Sequence, residues 1–151
     1  MSAASDDCII AIDPGVKGGM ACMAGEGLIT LHGFTTEAEF LDLVSNVSLD
    51  TAEAVVEEVP PYVGRAIPSS SAFKLGYNYG FEVGALRALG FRVNLVKPQV
   101  WQKGLQGLGK LRGAPRKRKL KDNAKRLYPK IKGLTLQTAD ALLLLDHWVN
   151  R

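Results

Sequence analysis

Three apolar runs in this chain are core-forming pieces that any fold must bury, and each carries an acid that a core disfavours. Asp13 ends Cys8-Ile-Ile-Ala-Ile12, Glu57 and its neighbour Glu58 end Ala54-Val-Val56, and Asp140 is embedded in Ala139-Asp-Ala-Leu-Leu-Leu-Leu145. Carboxylates are almost never fully buried unless they pair or bind a metal. Strand alternation puts Glu57 and Glu58 on opposite faces, so only one of them can share the surroundings of Asp13. Each acid also has an ordinary reading. Asp before Pro14-Gly15 favours a turn, Glu57-Glu58 would suit an exposed strand end, and Asp140 would tolerate its apolar neighbours in a salt bridge. Left unpaired there, Asp140 would cost several kcal/mol.

The runs between these acids predict an α/β fold. Strands are expected at Cys8–Asp13, Met20–Ala24 and Leu28–Phe34, joined by Gly-rich turns as an antiparallel meander. Thr36 and Glu39 form a capping-box pattern before a helix with Phe40, Leu41, Val44 and Val47 on one stripe. Ala52–Val59 predicts a fourth strand, followed by a loop from Pro60 to Ser70 that carries Tyr62, Arg65 and Pro68. Ser70 or Ser71 is expected to cap a second helix that ends at Gly90, and Phe91–Val96 to form a fifth strand. Pro98–Gln102 predicts a short helix, Gly104–Gly113 a flexible Gly/Lys/Arg segment, Pro115–Tyr128 a basic helix and Leu134–Trp148 an apolar one. The order gives a mixed five-stranded sheet covered by helices, with residues 1–151 as one domain.

Charge narrows the chemistry. The net charge is +4, yet residues 103–132 hold 12 Lys and Arg against the single acid Asp122, leaving the remainder at −7. A basic block inside a chain, leading into an apolar helix, reads as a nucleic-acid contact rather than a solvated tail. Hydrophobic content of 46% and charged content of 23% are ordinary for a globular protein. No apolar run reaches the ~20 residues needed to span a bilayer, and Met1–Asp7 lacks the basic start of a secretion signal. Cys8 and Cys22 fall in apolar runs and read as small hydrophobes in a reducing, cytoplasmic compartment. No Cys/His spacing suggests zinc.

Three carboxylates at strand ends and on one packed helix, in a chain with one intensely basic stretch, point to shared Mg²⁺ chemistry on a polyanion. Two ions ~3.5–4 Å apart would orient a water, neutralise a phosphate and stabilise the leaving oxygen. A few carboxylates suffice, because Mg²⁺ keeps waters and substrate oxygens as its other ligands.

Four motifs in order, Ile12-Asp-Pro-Gly15, Val56-Glu-Glu-Val59, Ser71-Ala-Phe-Lys-Leu-Gly76 with Gly80, and Thr138-Ala-Asp-Ala-Leu142, resemble the RuvC-type Holliday-junction resolvases. The phage-encoded and chloroplast branches are the most similar, and the resemblance runs over nearly the whole chain. It implies an RNase H-like fold and a homodimer. It also implies Mg²⁺- or Mn²⁺-dependent symmetric nicking of four-way DNA junctions, leaving 5′-phosphate and 3′-hydroxyl ends. By the same resemblance Asp13 matches the first-strand aspartate, Glu57 the second acid and Asp140 the acid of the last helix. The chain departs from the pattern at Gln137, where such enzymes place a second helix acid three residues before the last, on the same face. A neutral amide binds metal weakly, so either another residue completes the site or Gln137 orients a water.

In such an enzyme Lys110, Arg112, Arg116, Lys117, Arg118, Lys119 and Lys121 are candidates to grip phosphates, with salt-dependent affinity. Lys117 and Lys119 are equal candidates to stabilise charge at the scissile phosphate. Lys74, at the start of the second helix, is a further candidate for a phosphate contact, although for any single lysine a solvated charge is the ordinary reading. Tyr62 either stacks on an unpaired base at the junction centre or is a packed surface aromatic. Trp101 and Trp148 are expected in the core, His147 lies too far along its helix to be a ligand, and Asp146 is expected in solvent. Gly76, Gly80 and Gly84, with Phe73, Tyr77 and Phe81, are expected at the dimer interface, with packing on the protein's own sheet as the competing use. Two other functions fit the same residues: an RNase H-like nuclease acting on RNA or an RNA–DNA hybrid, and a non-catalytic junction-binding protein.

Overall fold

A computed structural model describes residues 8–47, 52–62 and 66–151; Arg65 of the expected loop and the N-terminal residues 1–7 lie outside the described residues. The strands are β1 (Ile9–Asp13), β2 (Gly18–Met23), β3 (Ile29–Phe34), β4 (Glu53–Glu57) and β5 (Arg92–Val96). The helices are α1 (Glu37–Ser45), α2 (Ser69–Ala88), the short α3 (Pro98–Trp101), α4 (Gly113–Leu127) and α5 (Ala139–Val149). The strands form one sheet in the order β3-β2-β1-β4-β5. Pairing is antiparallel from β1 through β3 and parallel from β1 to β4 and β5, as the expected ribbon followed by crossovers requires.

Alternation along the central strands sorts the core into two layers. Ile10, Ile12, Ala54 and Val56 pack with Phe40 and Val44 of α1 and Val83 and Leu86 of α2. Ala11, Ala21 and Val55 face the other way, against Ala139 and Ala141–Leu145 of α5, with Leu120 and Ala124 of α4 and with Trp101. With a side-chain period of two, Asp13 continues the Ala11 face and Glu57 the Val55 face. Both acids therefore emerge on the α5 side, at neighbouring ends of parallel strands paired through Ile12 and Val56.

The α1 cap forms as expected on one side: the Glu39 N–H donates to the Thr36 hydroxyl at 3.1 Å. The reciprocal arm lands one residue earlier than a standard box, with the Thr35 N–H donating to the Glu39 carboxylate at 2.8 Å. α2 starts at Ser69 after Pro68, with no side-chain cap, rather than being capped by Ser70 or Ser71.

The largest correction concerns the last helix, which begins at Ala139 and not at Leu134. Thr135 and Thr138 hold the preceding residues in turns: the Thr135 N–H donates to the Thr138 hydroxyl, and Gln137 and Thr138 N–H donate to the Thr135 hydroxyl. Local hydroxyl bonds of this kind compete with helix, and the apolar spacing of Leu134 and Leu136 imitated a helix that does not form. Asp146 also departs from expectation, since it accepts the Tyr128 hydroxyl at 2.6 Å instead of standing free in solvent. Cys8 and Cys22 are free thiols with sulfurs 3.3 Å apart. Among the described residues no helix is long and apolar enough to cross a membrane.

Candidate active site

The close approach of α5 to the sheet depends on small residues. A Cβ at Gly19, the partner of Asp13 across the β1–β2 ladder, would overlap the carbonyl of Gln137. This lets the start of α5 lie against β2, so Asp140, in the first helical turn, comes down beside Asp13 and Glu57. Asp140 is 5% exposed although its neighbours are entirely apolar.

Lys117 projects from α4 and supplies the compensating charge. Its Nζ lies 2.7 Å from Asp140 Oδ2 and 4.0 Å from Asp13 Oδ2. Such pairing is what a buried carboxylate requires, and the salt bridge weighed against a functional role for Asp140 is thus present. It uses only half of the group. Asp140 Oδ1 is buried with no hydrogen-bond partner. Glu57 is held by a different donor, the indole N–H of Trp101 at 2.8 Å from Oε2.

The acids repel one another enough to change their chemistry. Burial first, then the charges of Asp140 and Glu57, push Asp13 well above the usual aspartate range, and Lys117 only partly offsets them. Glu57 is pushed up to about 7 by burial and by Asp140, against the Trp101 hydrogen bond and Lys117. Burial favours the neutral amine of Lys117, yet Asp140, Asp13 and Glu57 together hold its ammonium above the ordinary value.

Among the described residues no three acid, histidine or cysteine side chains converge closely enough to enclose a metal ion. The convergence expected of a ready-made metal site is therefore incomplete in this arrangement, and the Lys117 ammonium is the cation at hand. The donor chemistry nevertheless fits a hard divalent ion. Every available ligand is a carboxylate oxygen, the acids are short of positive charge, and one buried oxygen is left unpartnered.

Gln137 has another occupation than the metal-side one considered from sequence. Its amide nitrogen donates to the carbonyls of Gly18 and Phe34, both at 2.8 Å. It clamps β2 and β3 to the residues before α5, and Gly33 leaves the room its side chain needs. The face-sharing argument that linked it to Asp140 also fails, because position 137 precedes the helix.

The structure separates the basic candidates. Lys117 is at the acids, whereas the Lys119 stem packs where a Cβ on Gly107 would stand. Arg116 donates to the Leu111 carbonyl at 3.3 Å and to the Gln102 side chain, tying α4 to the end of α3. Lys74, Lys110, Arg112 and Arg118 are exposed and Lys121 is half-buried. Arg118 and Lys121, with Lys125, line a cleft of about 730 Å³ whose other wall includes Ile131, Leu134 and Leu136. Tyr62 is 86% exposed, which removes the packed-aromatic reading. Gly76, Gly80 and Gly84 are also exposed, with open space where each Cβ would be, so the strip does not pack on the protein's own sheet. Phe73 and Tyr77 stack on each other beside it, ring centroids 6.2 Å apart.

Two residues next to the acid cluster were not recognised from sequence. Trp101 was expected only as core, although a buried indole N–H needs an acceptor and so marks a polar neighbour. Glu82 was not singled out, although it carries the same signal as Asp140, an acid between apolar neighbours, here Phe81 and Val83. It is 3% exposed, and burial raises it to about 8, opposed by the Gly15 N–H.

No family model matches this chain, and no curated protein matches it in sequence. Solved structures do match it. The structure of RuvC from Thermus thermophilus is 20% identical, covers 95% of this chain and 95% of its own, and superposes with a TM-score of 0.60. T. thermophilus RuvC in complex with a Holliday junction substrate is 18% identical, with the same coverage and a TM-score of 0.61. This chain has the RNase H-like fold, in the form that RuvC takes, from one end to the other of nearly all its length.

Proposed function

We propose that this chain is a divalent-metal-dependent, structure-selective DNA endonuclease: a Holliday-junction resolvase that makes paired symmetric nicks in four-way junctions and leaves 5′-phosphate and 3′-hydroxyl ends. The observation that carries the reading is the grouping of Asp13, Glu57 and Asp140 around Lys117, on one side of a RuvC-like sheet. Asp13, Glu57 and Asp140 would hold Mg²⁺, with Mn²⁺ substituting and two ions per site. When bound, these ions supply a polarised water and neutralise phosphate charge.

The protein's own groups prepare that chemistry. Trp101 aims Glu57 and favours its ionised form. The Asp140–Lys117 pair keeps a cation at the acids, and Lys117, about half exposed, can turn from Asp140 towards a phosphate oxygen and stabilise its developing charge. Lys110, Arg112, Arg118 and Lys121 would contribute salt-sensitive phosphate contacts. Tyr62 stands free to stack on an unpaired base. The glycine strip of α2, with Phe73 and Tyr77, would join two copies and set two sites for paired cuts.

The incomplete convergence of the acids and the separate duty of Gln137 favour one second reading, a junction-binding protein without catalysis. The experiment is incubation with a labelled mobile four-way junction in Mg²⁺, beside an RNA–DNA hybrid, with products resolved on a sequencing gel. Symmetric nicks on the junction support the proposal. Cleavage of the hybrid alone, or binding without nicking, replaces it.

A further inference from the structure

We infer that Glu82 is a positioning residue that holds the Asp13–Gly15 turn, and with it the Asp13 carboxylate, from the inner face of α2. The inference rests on the reading of Asp13 as a site residue and extends it to a group outside the acid cluster.

Glu82 is among the few polar or charged side chains found buried, yet the ion pairs formed among the described residues do not include it. A carboxyl kept in such a place costs stability, so a compensating role is expected of it. Among the described residues its one hydrogen-bonding neighbour is the Gly15 N–H, 3.3 Å from Oε2 and 3.5 Å from Oε1. Proline has no N–H, so Gly15 carries the first amide after Asp13 by which the turn can be held. Gly15 sits at φ +145°, a conformation that a side chain would oppose, so the turn depends on both the glycine and its tether.

The space around the tether makes it consequential. A cavity of about 110 Å³ adjoins the carboxyl, lined by Gly15, Val16, Phe34, Thr36 and Asn78 among others. The turn therefore has room to shift once it is released. Two positions along a helix are about 200° apart, so Glu82 faces inward while Gly80 and Gly84 face outward. One helix thus carries the tether of Asp13 on one side and the exposed glycine strip on the other.

The test compares Glu82→Gln with Glu82→Leu in the full chain, reading the ¹H–¹⁵N resonances of Gly15 and Asp13, thermal stability, and kcat and KM for junction nicking. Gln keeps a carbonyl acceptor, and the expected result is near-native resonances and kcat. Leu keeps the bulk and loses the acceptor. Its Gly15 and Asp13 resonances should move and kcat should fall about 10- to 100-fold, the scale of a small misplacement of a reacting group, with KM unchanged. If the Leu variant does not fold, Glu82→Met replaces it with the same expectation. The inference is overturned if the apolar variant leaves both resonances and kcat as in the wild type, or if Gln loses as much as Leu. If the wild type nicks no junction, the functional proposal fails, while the resonances still decide whether Glu82 holds the turn.

Discussion

The two faces of the sheet solve the same packing problem with different side chains. On the α1–α2 face, Ile10, Ile12 and Val56 meet Phe40, Val44, Val83 and Leu86, bulky residues that fill the layer. On the α4–α5 face the sheet offers Ala11, Ala21 and Val55, and α5 approaches closely enough for an aspartate in its first turn to reach acids at the strand ends. The first face tolerates one buried acid, Glu82, held by a backbone amide. The second gathers three acids and needs both a lysine and an indole N–H to hold them. Where α5 crosses the strand ends, Gly19 leaves room for the backbone at Gln137, and it is this close approach that brings Asp140 to the other acids.

The comparison is tested most severely at Asp140. Asp140→Asn keeps the shape and removes the charge, and nicking should fall more than about 10²-fold with the fold retained, as for loss of an electrostatic contact in a site. Undiminished nicking on the junction gel would make that face no different from the other. The two lysines separate next. Lys117→Ala removes the cation beside Asp140, so nicking should fall and stability should drop by about 1–2 kcal/mol once the partial exposure of Lys117 is allowed for. Lys119→Ala should change urea midpoints by less than about 0.5 kcal/mol and leave cleavage largely intact. Equal losses for the two would contradict the placement.

Trp101→Phe should cost about 1–3 kcal/mol through the unmet Glu57 oxygen. It should also move the acid limb of the nicking profile to higher pH, because the hydrogen bond that lowers Glu57 is gone. The pH dependence itself has a definite sign. Glu57 is raised to about 7 and Asp13 is raised as well, so the ionised acids that a cation needs appear as pH rises through about 7. For groups raised on folding, the stabilisation is full below their ordinary values and is lost as pH passes their folded ones. The unloaded fold should therefore weaken as pH rises from about 4.5 through about 7, and added Mg²⁺ should raise the melting temperature more above pH 7 than at pH 4.5. An equal Mg²⁺ shift at both would show that these acids do not bind it.

The smallest effect is expected on the far side of α2. Gly80→Ala meets open space and should stabilise the monomer fold by about 1 kcal/mol in chemical denaturation. Gly80→Arg, by contrast, should convert the proposed dimer to a monomer in sedimentation, and its melting temperature should lose any dependence on protein concentration. A dimer that survives Gly80→Arg would place the interface elsewhere.

Much of the fold was legible because the signals were local. The apolar runs that end at Asp13 and Glu57, the Thr36 cap and the stop at Gly90 each depend on neighbours within a few residues. The start of α5 was not legible from its apolar spacing, since Thr135 and Thr138 spend their hydroxyls on nearby amides and stop the helix short. Lys117 and Lys119 were indistinguishable for a related reason: two residues on one helix point in different directions, and only the docking of α4 decides which one meets the acids. Gln137 was read on a helical face that position 137 does not occupy. Its true partners, the carbonyls of Gly18 and Phe34, lie more than a hundred positions away in the chain.

By itself the sequence determined the order of the strands and main helices, that acids lie in or end core-forming runs, and that basic charge is concentrated in one block, since these follow from period, caps and composition. Only the tertiary structure decided which acids share a face, which lysine compensates them, that Trp101 holds Glu57 and that Glu82 reaches Gly15. Those are contacts between residues far apart in the chain, and their geometry exists only once the sheet and its two helical layers have packed.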